Sequence, residues 1–318
     1  VKVLVSFCNR KNTDGPDLAV YDPDNLSHRF VKLPDEFRVA SGVTGLASAG
    51  GYLYVVPQIS LAAAADASIP FSVLLTFKLA TFSLIHRYAF RCARDVHSIC
   101  ATTDTLYAAS SGTDEVLRLQ LRDGAVVSEE VCWRPDATAP REDIHHLNSV
   151  LWSNGQLLVS GFGKKAGQRW ETANQGFIYN ISHSRTVTRG VDHPHSLVGI
   201  GDSIAYCESR KMRIGTLDNR GERALDGYSR GLCRIENHLF AASSIGRCVS
   251  RSLNVINNPA DPGEPLGRCT INRLRLDNFE VEATTDLTAH GSEIYDLLPI
   301  RGPVNWPFTD EFGKREAA

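Results

Sequence analysis

No apolar run in this sequence reaches the roughly 18 residues that a membrane-crossing helix needs. No long stretch repeats its apolar residues at helical spacing either, so neither a membrane span nor a helical solenoid is expected. Charge of one sign is also missing. The 318 residues carry 34 basic against 36 acidic side chains, a balance that argues against nucleic acid or an anionic membrane as partner. The opening VKVLVSFCN lacks the charged, apolar and small-residue order of a secretion signal. None of the eight cysteines is spaced as C-x-x-C. Cys8, Cys100, Cys207 and Cys233 sit inside apolar runs and read as reduced thiols of a cytoplasmic protein. Cys248 and Cys269, which flank a Pro- and Asn-rich segment, are the two that an oxidising compartment would join. A Gly-rich phosphate loop, a G-x-S-x-G elbow and a zinc-finger cysteine pattern are all missing, so no ready-made motif names the chemistry.

What is present is a repeat. A polar residue, a small residue and an apolar pair recur in Gly42-Val43-Thr44-Gly45-Leu46-Ala47, Asp95-Val96-His97-Ser98-Ile99-Cys100 and His146-Leu147-Asn148-Ser149-Val150-Leu151. They return in His193-Pro194-His195-Ser196-Leu197-Val198, Tyr228-Ser229-Arg230-Gly231-Leu232-Cys233 and Glu293-Ile294-Tyr295-Asp296-Leu297-Leu298. Each copy but the last is followed by a polar turn and further short runs of β-branched and aromatic residues, four strands to a unit. Asn154-Gly155 and Gly201-Asp202 are hairpin chemistry, because the central residues of such turns reach positive φ. A period of about 35 to 65 residues with four strands apiece is the signature of a β-propeller.

The last copy has no strands after it, and the N-terminus begins with three unmatched ones: Lys2 to Phe7, Leu18 to Tyr21 and Phe30 to Leu33. The expected fold is therefore all-β, a six-bladed β-propeller over residues 1–301 with its ring closed by pairing the C-terminal strand with N-terminal strands. Residues 302–318 read as a C-terminal tail, and the Ala-rich segment Leu61 to Ala67 as a possible short helix. Closure of this kind removes the exposed strand edges of an open sheet.

The first strand of each blade lines the axis of a propeller, so the repeat places one residue per blade at a shared depth. Thr44, His97, Asn148, His195, Arg230 and Tyr295 form one such layer. Gly42, Asp95, His146, His193, Tyr228 and Glu293, two residues earlier, share its side of the strand if alternation holds. The long connections Asn9 to Pro16, Pro57 to Pro70, Gly161 to Gln175 and Ser244 to Gly267 fall between second and third strands and are expected to wall the channel mouth. Imidazoles beside a carboxylate suit one divalent metal such as Zn, Mn or Fe, with His97, His146, His195 and Glu293 as ligands and His193 as the alternative. The same groups without metal suit acid–base work by His97, His195 and Tyr295. Spacing does not choose between the two. Asn148, Arg230, Trp170 and Tyr228 are the expected substrate-binding residues. A buried guanidinium needs an anionic partner, which for Arg230 is either a substrate or a carboxylate such as Glu293 or Asp95.

These residues also resemble an uncharacterised bacterial family, a domain of unknown function expected to be a propeller. The likeness rests on Leu4-Val5-Ser6-Phe7-Cys8-Asn9, Asp95-Val96-His97, His146-Leu147-Asn148, Gly161 through Trp170-Glu171 to Gly176, His193-Pro194-His195-Ser196 and Gly227-Tyr228-Ser229-Arg230-Gly231-Leu232. It departs at Ser98, where the family has Asp, and at His193, where it has Met. The resemblance implies a fold and no activity. Function is therefore expected from the channel: metal-assisted or acid–base lyase or hydrolase chemistry on a small polar, anionic or carbohydrate-like molecule. The alternative is a non-catalytic module that binds a protein or glycan.

Overall fold

Each blade buries its apolar residues against the next, and six such seams make up the ring. The computed structural model describes residues 1–8, 15–37, 40–59, 72–167, 169–245, 249–250, 255–256 and 267–309. From the axis outward, blade 1 is Ile294–Ile300, Lys2–Phe7, Leu18–Asp22 and Ser27–Val31, all antiparallel, so the C-terminal strand closes the ring against the N-terminal one. Blade 2 is Ala40–Ala49, Tyr52–Ile59, Val73–Lys78 and Ser83–Ala89. Blade 3 is Val96–Ala101, Thr105–Ser110, Glu115–Arg122 and Ala125–Trp133. Blades 4 and 5 are Leu147–Ser153, Gln156–Gly161, Gly176–Asn180, Arg185–Val191 and Pro194–Ile200, Ser203–Glu208, Arg213–Thr216, Glu222–Ala224. Blade 6 is Tyr228–Ile235, His238–Ser244, Thr270–Arg275 and Val281–Asp286. The six-bladed ring expected from the repeat is the observed architecture.

The seams follow from strand alternation, which turns every second side chain toward a neighbouring blade. Val3, Val5 and Tyr21 of blade 1 pack on Cys233, Phe240 and Ile271 of blade 6. On the other side, Leu4, Leu18 and Val20 pack on Leu46, Leu53 and Phe77 of blade 2. Burying a side chain of this size contributes about 1.5–3 kcal/mol relative to exposing it. Residues 302–309 run back over the seam between blades 1 and 2, where Trp306 is buried and donates its Nε1–H to the Leu79 carbonyl at 2.6 Å. Thr309 pairs with Phe30.

Cys8, Cys207, Cys233 and Cys269 are buried, Cys100 is half-buried, and every cysteine among the described residues is a free thiol. Cys248, its expected partnership with Cys269, and the Leu61 to Ala67 segment lie outside the described residues. No helix among the described residues is long and apolar enough to cross a membrane.

One irregularity recurs in every blade. Two consecutive residues of the innermost strand stand opposite one residue of the second strand, which is a β-bulge. The pairs are Thr44 and Gly45 opposite Val56, His97 and Ser98 opposite Ala109, and Asn148 and Ser149 opposite Ser160. The remaining three are His195 and Ser196 opposite Cys207, Arg230 and Gly231 opposite Ala242, and Tyr295 and Asp296 opposite Ser6. The polar-then-small pattern of the sequence is this bulge.

In five blades its second residue leans on the inner strand of the next, while Ser149 bonds Ser160 within its own blade. Ser98 Oγ accepts the Val150 N–H at 3.3 Å, Ser196 Oγ that of Gly231 at 2.9 Å, and Asp296 Oδ2 that of Leu46 at 3.1 Å. Where the residue is glycine the approach is close: a Cβ on Gly45 would lie 3.1 Å from Ile99, and one on Gly231 3.1 Å from Leu297. Small size at this position is thus a packing requirement between blades.

Candidate active site

The bulge lets the first residue of each pair turn off the regular pleat. His97, Asn148, His195 and Tyr295 thereby reach one axial cavity of about 280 Å³. The rest of its wall is mostly apolar and follows each inner strand from the bulge to its C-terminal end, through Ile99, Val150, Val198, Leu232 and Leu297. This cavity therefore extends toward the tight first-to-second turns, away from the long loops expected to wall its mouth. Loop Gly161 to Gln175 lies on the opposite side of the polar layer. The loops 9–14, 60–71 and 257–266 fall outside the described residues.

His195 is 2% exposed. Its Nδ1 lies 2.7 Å from Ser209 Oγ and 3.1 Å from the His193 carbonyl. Ser209 itself donates to the Ser229 carbonyl at 2.5 Å, so the Nδ1 proton is the one that completes both contacts. Nε2 is left as the lone-pair nitrogen. Burial first, then the Arg230 charge, pushes the His195 pKa well below the usual imidazole value, with the His193 carbonyl opposing. The ring is consequently neutral near pH 7.

His97 is fully engaged. Asn148 Nδ2 donates to its Nδ1 at 3.3 Å, and its Nε2 lies 3.2 Å from Asp95 Oδ2. Tyr295 sets its ring edge-on to His97, with centroids 5.8 Å apart, and flanks Arg230 at 5.0 Å. Thr44, at the same level, donates to the Val96 carbonyl at 2.6 Å and serves the scaffold.

Arg230 does not line the cavity. Its Nη1 lies 2.9 Å from Glu293 Oε2, and its guanidinium is held between the Tyr228 and Tyr295 rings at 4.9 and 5.0 Å. Cys8 Sγ lies 3.7 Å from the same Glu293 oxygen. Burial alone would lower the Arg230 pKa, but Glu293, Tyr228, Cys8 and Tyr295 together raise it. The anion that a buried guanidinium requires comes from within the protein.

Behind the polar layer lies an aromatic group. The His146 ring packs on Trp170 at 4.4 Å and Phe162 at 4.6 Å, with Nδ1 3.1 Å from both Asp143 oxygens. His193 stacks on Phe162 at 4.2 Å, takes the Tyr228 hydroxyl on Nδ1 at 3.2 Å and donates from Nε2 to the Trp170 carbonyl at 3.0 Å. Burial lowers its pKa to about 4, against the pull of that carbonyl. Lys165 Nζ covers the Trp170 ring at 4.2 Å. Asp95, His146 and His193 have φ of +53°, +52° and +52° and precede their strands. Strand alternation therefore does not set where they point. Asp, Asn and His are among the residues that tolerate this left-handed region.

Of the residues expected to bind metal, His97 and His193 have both ring nitrogens engaged, His146 faces Asp143, and Glu293 holds Arg230. Among the described residues no group of three or more His, Cys, Asp or Glu is arranged to hold a metal ion. Two residues that the sequence reading passed over belong to the site. Phe162 touches His146, Trp170, His193 and His195, and its signal was the flanking pair Gly161 and Gly163. Asp296 lines the cavity, and its signal was an acid where other copies of the repeat carry Ser or Gly.

A family model described as Domain of unknown function (DUF4915) matches residues 83–306. No curated protein matches the chain. Among solved structures, one from the nidogen/laminin complex is similar with a TM-score of 0.61 at 10% identity, covering 93% of this chain and 97% of that one. A putative 6-phosphogluconolactonase from Bacteroides fragilis has a TM-score of 0.57 at 14% identity, over 93% and 97% of the two chains. A luciferin-regenerating enzyme has 0.51 at 14% identity, over 81% and 79%. Likeness at this level concerns the fold alone.

Proposed function

The chain belongs to the family described as Domain of unknown function (DUF4915), and from that premise we propose that it is an enzyme whose axial cavity carries out acid–base hydrolysis of a small polar molecule. The observation that carries this reading is the polar end of the cavity, lined by Asn148, Tyr295 and a buried, neutral His195 whose Nδ1 is fixed and whose Nε2 has no hydrogen-bond partner among the described residues. A neutral imidazole fixed through Nδ1 is arranged to accept a proton from an attacking water. Asn148 and Tyr295 are the groups that would orient the substrate oxygen. At about 280 Å³ the cavity falls just below the roughly 300–1,000 Å³ of pockets for drug-sized ligands, which suits a small ring ester or carbohydrate-like acid derivative. The putative lactonase among the fold neighbours makes lactones the first class to try.

The acid–base form is favoured over the metal-assisted one because His97 has both ring nitrogens engaged and Glu293 already answers the Arg230 charge. The anionic substrate suggested by Arg230 loses its support for the same reason, since Glu293 answers that charge. The test is turnover of a panel of sugar-acid lactones and 4-nitrophenyl esters by wild type and by His195→Gln, with circular dichroism to confirm the fold. Loss of a general base costs about 10²–10⁴-fold in rate. No turnover by wild type, or full turnover by the variant, would overturn the proposal; the first result would leave a binding module for a protein or glycan as the better reading.

A further inference from the structure

The six blades act as an internal control on one another. The second bulge residue is Gly45, Ser98, Ser149, Ser196 and Gly231 in five of them, and Asp296 in the sixth. Its structural duty is modest, since the hydroxyls of Ser98 and Ser196 tie one blade to the next by accepting a single N–H. Asp296 does this for Leu46, and its second oxygen accepts the Leu297 N–H at 2.9 Å. A carboxylate adds a charge that the tie does not need. Taking a charge even partly out of water without a cationic partner is costly, yet half-buried Asp296 forms no ion pair among the described residues, and it lines the same cavity as His97, His195 and Tyr295.

We propose that Asp296 is the second proton-transfer residue of the axial cavity, the acid that works with His195 in the hydrolysis put forward above, on which this inference rests. As water adds to the acyl carbon, its proton passes to His195 Nε2 while the bond from that carbon to the leaving oxygen breaks. The Asp296 proton goes to the leaving oxygen. The products are the carboxylic acid and the alcohol, with imidazolium and carboxylate left on the protein. Exchange of one proton with solvent water resets both groups.

The surroundings of Asp296 fit the role. Burial raises its pKa to about 7, with the Leu46 and Leu297 N–H groups pulling the other way, so it holds a proton it can give up near neutrality. From blade 6 it faces Cys233, a thiol that burial pushes far up and keeps neutral. Leu46 of blade 2 and Ser6 of its own blade do not titrate. Across the cavity His195 is neutral, and His97 is engaged by Asp95 and Asn148.

The experiment replaces Asp296 by the residue that blades 3, 4 and 5 carry, Asp296→Ser, which keeps a hydroxyl for Leu46. Lactone and ester turnover is measured against pH for both proteins, and the protonated carboxyl is followed separately by difference infrared spectroscopy, wild type minus variant. The expected result is a fall of about 10²–10⁴-fold in kcat, loss of the wild-type limb near pH 7, and a carbonyl band present at pH 6 that fades by pH 8. A variant with the wild-type pH profile overturns the role of Asp296 and leaves the hydrolase reading standing. A carboxyl already ionised at pH 5.5 overturns it whether or not turnover is found, whereas an inactive wild type overturns the hydrolase reading and the acid's role with it.

Discussion

A carboxyl kept protonated by burial weakens the fold wherever the unfolded chain would ionise it, and this gives Asp296 a measurable signature independent of any substrate. In the folded protein its pKa is raised to about 7, against about 3.9 for an unfolded aspartate. Below about pH 4 both states hold the proton and the group has no effect. As pH rises toward 7 the unfolded state gains by ionising while the folded state does not, so stability is progressively lost across that window. The difference of about 3 units, at about 1.4 kcal/mol each, sets an upper bound of about 4 kcal/mol. Asp296 is only half-buried, so solvent screening lowers the expectation to about 2–4 kcal/mol. Asp296→Asn removes the charge but keeps one oxygen where the Leu46 and Leu297 N–H groups each had their own, so it carries a pH-independent cost that the comparison at pH 4 measures. With an unfolding entropy of about 2.1 cal/mol/K per residue, the melting temperature of the variant relative to wild type is expected to rise by about 3–6 °C between pH 4 and pH 8. Calorimetry of both proteins at matched pH reads this directly. A gap between variant and wild type that is the same at pH 4 and pH 8, or that moves the other way, would refute the reasoning.

Two other outcomes are expected. Glu293→Gln leaves the Arg230 guanidinium buried without its anion and is expected to cost about 3–5 kcal/mol, read by denaturant unfolding. The double replacement Arg230→Met with Glu293→Leu is expected to recover most of that loss, and equal damage from both variants would show that the ion pair is not the cause. Dialysis against EDTA is expected to leave melting temperature and turnover unchanged, with elemental analysis showing less than one metal per chain. A loss of either property that added Zn, Mn or Fe restores would revive the metal-assisted reading.

The blade order and the ring closure were legible because short apolar strands, hairpin turns and a recurring polar-small-apolar string all describe local geometry. That string marked the bulge, although a sequence read as unbroken strands offers no reason for it. The same assumption counted Asp95, His146 and His193 as strand residues, whereas they precede their strands, with Asp95 and His146 set against His97 of the inner layer. Their positive φ breaks the alternation on which such counting rests. Glu293 was legible as a candidate partner for Arg230 because a buried guanidinium restricts the choices so severely. Asp296 was passed over because in its own copy of the repeat it follows Tyr295, the larger and more conspicuous candidate. The direction in which the cavity runs was beyond reach, because it depends on how six inner strands close on one another.

The division of labour within each bulge explains why chemistry can gather at this level without unsettling the fold. Contact between blades is made by the second residue, and in four blades it is Gly or Ser with a neighbouring strand lying against it. If the first residue were equally bound to packing, six equivalent environments would have settled on similar side chains. They hold Thr44, His97, Asn148, His195, Arg230 and Tyr295 instead, and four of these converge on one cavity. Thr44 and Arg230 are taken up by the scaffold, and the variation among the other four fits the catalytic reading proposed for the cavity. Asp296 extends the argument, because it is the single case in which the packing position has also been given a charge.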